Sequence, residues 1–146
     1  IEKAPIPSLN VHRIPTEIKP PEKAAQAYEI QLREYFSTTT SYTFDLILLG
    51  IGEDGHTASL FPKSPILQEN KRWVVAVSAP PLILPNTRIT LTLPIINKAK
   101  SIFFLVAGSK KIGVVKSILN DYKKAAKYYP AAMVQPKHRL IWFIAN

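Results

Sequence analysis

The chain contains no cysteine among its 146 residues. That excludes a disulfide scaffold, thiolate chemistry and any cysteine-ligated metal site, and it is compatible with a reducing cytosol. Long apolar runs are also missing: none approaches the roughly 20 residues that span a bilayer. The opening, IEKAPIPSLN, lacks the basic-then-apolar plan of a secretory leader and has no initiator methionine. The expectation is a cytoplasmic chain, trimmed or part of a longer protein. Acid is scarce: 10 Asp and Glu stand against 19 Lys and Arg, a formal charge of +9. This balance favours anionic partners, whether phosphorylated metabolites, nucleic acid or an acidic membrane surface.

What is present is apolar and ordered. The chain is 47% hydrophobic, enough for one real core, and its length fits a single domain. Five prolines in residues 1–21 argue against an early long helix, though VHRI (11–14) is a candidate brief strand. Residues 22–36, EKAAQAYEIQLREYF, place Ala24, Ala27, Tyr28, Leu32 and Tyr35 at helical spacing. Pro20-Pro21 marks the start of that helix and STTTS (37–41) its end.

FDLILLG follows. Its four consecutive apolar residues, Leu46 to Leu49, closed by a glycine, read as a strand buried on both faces. WVVAVSA (73–79) and RITLTLP (88–94) are further strand candidates, separated by the proline-rich loop PPLILPN. INKAK (96–100) predicts a short helical turn. SIFFLVAG (101–108) is another buried strand ending in glycine. SKKIGVVKSILNDYKK (109–124) sets Ile112, Val115, Ile118, Leu119 and Tyr122 on one helical face, and LIWFIA (140–145) is a last strand. Helices alternating with glycine-ended apolar strands predict a doubly wound α/β fold with a mostly parallel sheet.

In such a sheet, ligands bind at the carboxyl ends of the strands. GIGEDGHTASLFP (50–62) begins at one of those ends. The glycines at 50, 52 and 55 permit positive φ and close approach of a ligand, and their N–H groups have the makings of an anion nest. His56 would project over the same crevice as a general base, with Asp54 or Glu53 near enough to orient it. Thr57 and Ser59 are candidate caps for a following helical turn. The plain alternatives stand beside this: ordinary turn geometry, and a hydrogen-bonded structural histidine. His12 and His138 lie in less ordered contexts. No His/Asp/Glu cluster has metal-ligand spacing. Ser59 is not in a GxSxG setting, and the glycines match neither the dinucleotide fingerprint nor the P-loop.

GIGEDGHTASLFP closely resembles the signature of the 6-phosphogluconolactonases. VHRIPTE with AAQAYEIQLREYF before it, and NTRITLTLPIINKAKSIFFLVAGSKK and YYPAAMVQPKHRLIWFIAN after it, are similar to that family's segments in the family's order. The related glucosamine-6-phosphate deaminases share the DGH turn but continue without TASLFP. The resemblance implies a Rossmann-like α/β fold. It also implies hydrolysis of 6-phospho-D-glucono-1,5-lactone to 6-phosphogluconate, the lactonase step of the oxidative pentose phosphate pathway, with no metal or organic cofactor. By the same resemblance His56 activates water and Asp54 orients it or touches substrate. Gly50, Gly52, Gly55 and Thr57 line the substrate. Arg88 and Lys111, the latter more than its neighbour Lys110, hold the phosphate.

Family members begin with a Ser-Gly-Gly-Ser phosphate loop and an Asp-Glu-Arg motif that are absent here. Ala145 stands where the family usually has an Asp, and the customary final helix is missing. The expectation is therefore the C-terminal portion of a single α/β domain, residues 1–146. Its partners would be the phosphorylated lactone and the missing segment, on the same chain or a second one. Three rival readings are an amino-sugar phosphate deaminase, a non-catalytic phosphosugar-binding domain and a nucleic-acid binder. Against the last, Lys110, Lys111, Lys116, Lys123, Lys124 and Lys127 read as a solvated helix face without interleaved aromatics. Neither nucleic acid nor membrane is expected as a partner.

Overall fold

The computed structural model describes residues 5–38, 43–81 and 84–145. A helix, α1 (Pro21–Ser37), starts with proline where a missing N–H costs nothing. It buries Ala24, Ala25, Leu32 and Phe36. This face is turned from the expected one. Tyr35 stands half exposed, while Phe36 swings inward to meet Phe44 and Trp73 edge-on, with ring centroids 5.0 and 6.1 Å away. Residues 11–14, expected as a strand, join no ladder. The end expected in STTTS falls partly outside the described residues.

Three strands form a parallel sheet in the order β1 (Leu46–Leu49), β4 (Ser101–Ala107), β5 (Arg139–Ala145). The register sets Leu49 beside Phe104 and Phe104 beside Trp142. The other two strands, β2 (Val74–Ser78) and β3 (Thr87–Leu91), make a separate antiparallel ribbon. The parallel sheet expected from the glycine-ended apolar runs is present, with this ribbon beside it. β3 stops at Leu91, short of the expected Pro94, because Leu93–Ile96 forms a short helix, α2, with Pro94 in its first turn. The helical turn expected at 96–100 therefore arrives earlier.

The expected helix over 109–124 is broken into a 3-10 turn (Ser109–Lys111), α3 (Ile112–Asn120) and α4 (Tyr122–Ala125). Asp121 causes the break. It adopts an extended backbone, and its carboxylate accepts the Lys124 N–H at 2.9 Å as an N-cap. Its cap restarts the helix, a local competition that periodicity alone does not reveal.

One core joins alternate residues of the sheet (Ile47, Leu49, Ile102, Phe104, Val106) to Ile96, Val115, Ile118, Ala131 and Val134. A smaller one packs α1 on the ribbon through Ala25, Leu32, Phe36, Trp73, Val74 and Ile95. The opposite side of the parallel sheet differs from expectation. Leu46, Leu48 and Leu105 alternate with the buried residues and remain about half exposed, as does Phe143 beside Leu105. Burial on both faces, with helices on each, is thus met on one face among the described residues.

Candidate active site

β1 delivers the chain to Gly50 at the carboxyl edge of the sheet, and the next residues close on themselves. Gly52 N–H donates to the His56 carbonyl at 2.9 Å, and Gly55 N–H to the Gly52 carbonyl at 3.0 Å. The His56 N–H donates to Asp54 Oδ1 at 3.1 Å. Thr57, wholly buried, donates its hydroxyl to the Gly50 carbonyl at 2.8 Å. These bonds correct two expectations. Thr57 ties the loop shut and Ser59 gives its N–H to Thr90; no helix follows for them to cap. The N–H groups of Gly52, Gly55 and His56 close the turn and do not form an outward-facing anion nest.

The same closure brings a histidine and a carboxylate together. Asp54 Oδ1 lies 2.6 Å from His56 Nδ1. With the Nδ1 proton held by the carboxylate, Nε2 is the ring's basic end. Phe61, buried, sets its ring 5.0 Å from the imidazole. The His56 side chain is 29% exposed, so it is supported on two sides and still reachable. The three glycines differ in purpose. A Cβ at Gly52 would collide with the His56 ring and come within 2.7 Å of Asp54 Oδ1, so Gly52 is the floor under the pair. Gly55 has φ +79°, a conformation that favours glycine. Gly50 has open space where a Cβ would go. Further on, Ala58 takes φ 49° within the tight Thr57–Leu60 turn. Backbone of this kind gathers at functional sites.

Arg88 sits on β3 opposite Val77. Two residues along, on the same ribbon face, Thr90 accepts the Ser59 N–H at 3.1 Å. The face that carries Arg88 thus meets the segment just after His56. The Arg88 guanidinium donates to the carbonyls of Pro85 (2.8 Å) and Leu84 (3.0 Å), which leaves part of the fork free. Lys111 ends the 3-10 turn after β4, where Gly108 has φ +101° and accepts the Lys111 N–H at 3.2 Å. β4 runs three residues beyond the level of Leu49, roughly 10 Å at about 3.3 Å per residue, before the turn that carries Lys111. Among the described residues, no hydrogen bond or ion pair engages its ammonium. A surface cleft of about 560 Å³, lined by Ser64, Ile66, Glu69, Arg72 and Ser78, does not include His56. The residues of the turn, and not this cleft, mark the candidate site. Among the described residues no group of three His, Asp or Glu is placed to hold a metal.

Phe61, Thr90 and Tyr129 touch this turn and were not singled out in the sequence. Phe61 lies inside the quoted motif, but nothing local marks it as a ring support. Thr90 and Tyr129 reach the turn only through the fold.

A histidine–carboxylate pair on a glycine turn stands at the carboxyl edge of a parallel sheet, the edge at which α/β proteins bind their ligands. The family model described as glucosamine-6-phosphate isomerases/6-phosphogluconolactonase matches residues 1–142. The chain belongs to that family. It is 44% identical to the 6-phosphogluconolactonase of Rattus norvegicus and 42% identical to that of Homo sapiens, each over 99% of this chain. It spans 54% and 55% of those two proteins, about half their length. A solved 6-phosphogluconolactonase from Thermotoga maritima superposes with a TM-score of 0.80 at 34% identity, over 99% of this chain and 60% of that one. No helix among the described residues is long and apolar enough to cross a membrane.

Proposed function

We propose that this chain supplies the water-activating turn and part of the phosphate grip of a 6-phosphogluconolactonase. The reaction is hydrolysis of 6-phospho-D-glucono-1,5-lactone to 6-phosphogluconate. The observation that carries this reading is the Asp54–His56 pair, 2.6 Å apart, on the floor provided by Gly52. His56 Nε2 removes a proton from water as the water oxygen bonds to the lactone carbonyl carbon. The tetrahedral intermediate then collapses. The bond from that carbon to the ring oxygen breaks, and the imidazolium returns its proton to the departing oxygen. Asp54 holds the Nδ1 proton throughout and stabilises the imidazolium. Arg88 and Lys111 bind the phosphate and hold the ring over His56, so that remote binding energy serves orientation. No step calls on a metal or organic cofactor.

Within this reading the chain is the C-terminal portion of one α/β domain, and a further segment completes the phosphate site. Its partner is a phosphorylated sugar lactone, with neither nucleic acid nor membrane involved. The cytoplasm is the proposed compartment, because a doubly charged phosphoester does not cross a bilayer unaided and must be used where it is made. The deciding experiment is a lactone-hydrolysis assay on the full-length protein, read as acid release, beside its His56→Ala variant. Rapid hydrolysis by the wild type and its loss in the variant support the reading. Ammonia release from glucosamine 6-phosphate, with no lactone turnover, would transfer the chain to the deaminase branch. Binding of 6-phosphogluconate without turnover of either substrate would make it a binding domain.

A further inference from the structure

We propose that the segment Tyr129–Ala131 is a positioning device for the His56 turn, and that the Tyr129 ring is its working part. The inference rests on the reading of His56 as the base. Its geometry does not depend on that reading.

The turn is closed by its own hydrogen bonds, and other segments fix it to the rest of the fold. It lies at the surface, with the Asp54 side chain 45% exposed and that of His56 29% exposed. Gly55 separates these two residues, so its placement fixes both. A remote segment holds Gly55 in two ways. The Ala131 N–H donates to the Gly55 carbonyl at 3.0 Å. The Tyr129 side chain occupies the space a Cβ of residue 55 would need, with Cδ1 2.5 Å and Cβ and Cγ 2.8 Å from that point. Glycine at 55 thus answers two demands together: the positive φ of the turn and the close seat of the tyrosine ring.

The platform behind that ring is buried where the turn is exposed. Pro130, Ala131, Ala132 and Val134 are fully buried. The Tyr129 N–H reaches back to the Ala125 carbonyl at 2.8 Å, at the end of α4. On the far side, the Asn97 amide donates to the Met133 carbonyl at 3.0 Å and accepts the Gln135 N–H at 2.9 Å. A buried, doubly pinned segment pressed against an exposed turn transmits its position to the turn and takes little from it. Among the described residues no hydrogen bond engages the Tyr129 hydroxyl, so the ring, not the phenol, makes the contact. Arg88 on β3 and Lys111 beyond β4 stand on other elements. Loosening this brace should therefore misaim the base without releasing the substrate.

The test compares Tyr129→Ala with Tyr129→Phe in the full-length protein, by lactone-hydrolysis kinetics and by amide hydrogen exchange at Gly55 and Ala131. In Tyr129→Ala both amides exchange faster, and kcat falls by about 10- to 100-fold while KM moves by less than about threefold, as expected of a base misplaced by about 1 Å. Tyr129→Phe restores both readouts. A folded Tyr129→Ala protein with wild-type kcat and exchange overturns the proposal, as does a Phe variant as impaired as the Ala variant. Should Tyr129→Ala not fold, Asn97→Ala loosens the same platform without touching the turn. Faster exchange at Ala131 with reduced kcat then supports the brace, and unchanged values overturn it. Absence of lactone hydrolysis in the wild type defeats the functional reading instead, and the exchange data alone then decide on the brace.

Discussion

Two glycine turns end neighbouring parallel strands in this molecule, and they solve the same problem in opposite ways. The turn after β1 is bound to itself and to its surroundings. Gly50, Gly52, Gly55, His56 and Thr57 bond to one another, and Thr90 and Ala131 hold it from outside. The turn after β4 is nearly bare. Gly108 bonds to Lys111 and to Ala145, and the lysine ammonium meets no partner among the described residues. The difference matches the two tasks proposed. A base must be aimed before the substrate arrives, since angular error enters the rate directly. A cation that meets a phosphate can find it through space, because charge attraction is not directional.

The sharpest test of that contrast is removal of the base. His56→Ala should lower kcat/KM of the full-length protein by about 10²- to 10⁴-fold, the usual worth of general-base catalysis, measured in the lactone assay. Next comes the floor of the pair. Gly52→Ala should push the imidazole off Asp54 and lower kcat by about 100-fold, whereas Gly113→Ala on α3, which also enters open space, should leave it near wild type. Equal damage from both would show that the turn is not specifically built around the pair.

The second turn should answer in KM. Lys111→Met should raise KM by about 10- to 100-fold, the equivalent of one charged hydrogen bond of about 1.5–3 kcal/mol, with little change in kcat. Initial rates across substrate and salt series check this. Gly108→Ala meets no atom but must keep φ +101°. It should cost about 1–2 kcal/mol of stability, read from urea unfolding.

The smallest effect lies outside both turns. Glu69 accepts the Asn70, Lys71 and Arg72 N–H groups and pairs with the Arg72 side chain. Those backbone bonds, then the Arg72 side chain, lower its pKa from 4.5 to about 2. A lowered carboxyl pKa stabilises the fold above the unfolded value, and that stabilisation is lost as pH falls through the folded one. The stability difference between wild type and Glu69→Gln should therefore be full above about pH 4.5 and vanish by about pH 2, as followed by denaturant unfolding. Solvent screening keeps it small.

Much of this was legible in the sequence where the cause is local. Leu46–Leu49, Ser101–Ala107 and Arg139–Ala145 are strands because unbroken apolar runs fit a buried sheet, and the glycines at 50 and 108 end two of them. Asp54 and His56 meet because a single turn residue, Gly55, separates them. Other features depended on competition or distance. Asp121 broke a periodic helix by offering a cap. Phe36 displaced Tyr35 from the buried face of α1 because Phe44 and Trp73, far along the chain, lay on its side. The N–H groups of Gly52 and Gly55, expected in an anion nest, are instead spent on closing the turn.

The sequence by itself determined the parallel strands, the glycine turn and the pairing of its histidine with the nearest carboxylate, all set by steric and hydrogen-bonding rules acting over a few residues. Only the tertiary structure decided that Tyr129 would fill the place of a side chain at Gly55, that Thr90 would hold Ser59, and that, among the described residues, Leu46, Leu48 and Leu105 would stay half exposed. Those outcomes require segments remote in sequence to reach one point in space, and no local pattern of residues encodes the distance between them.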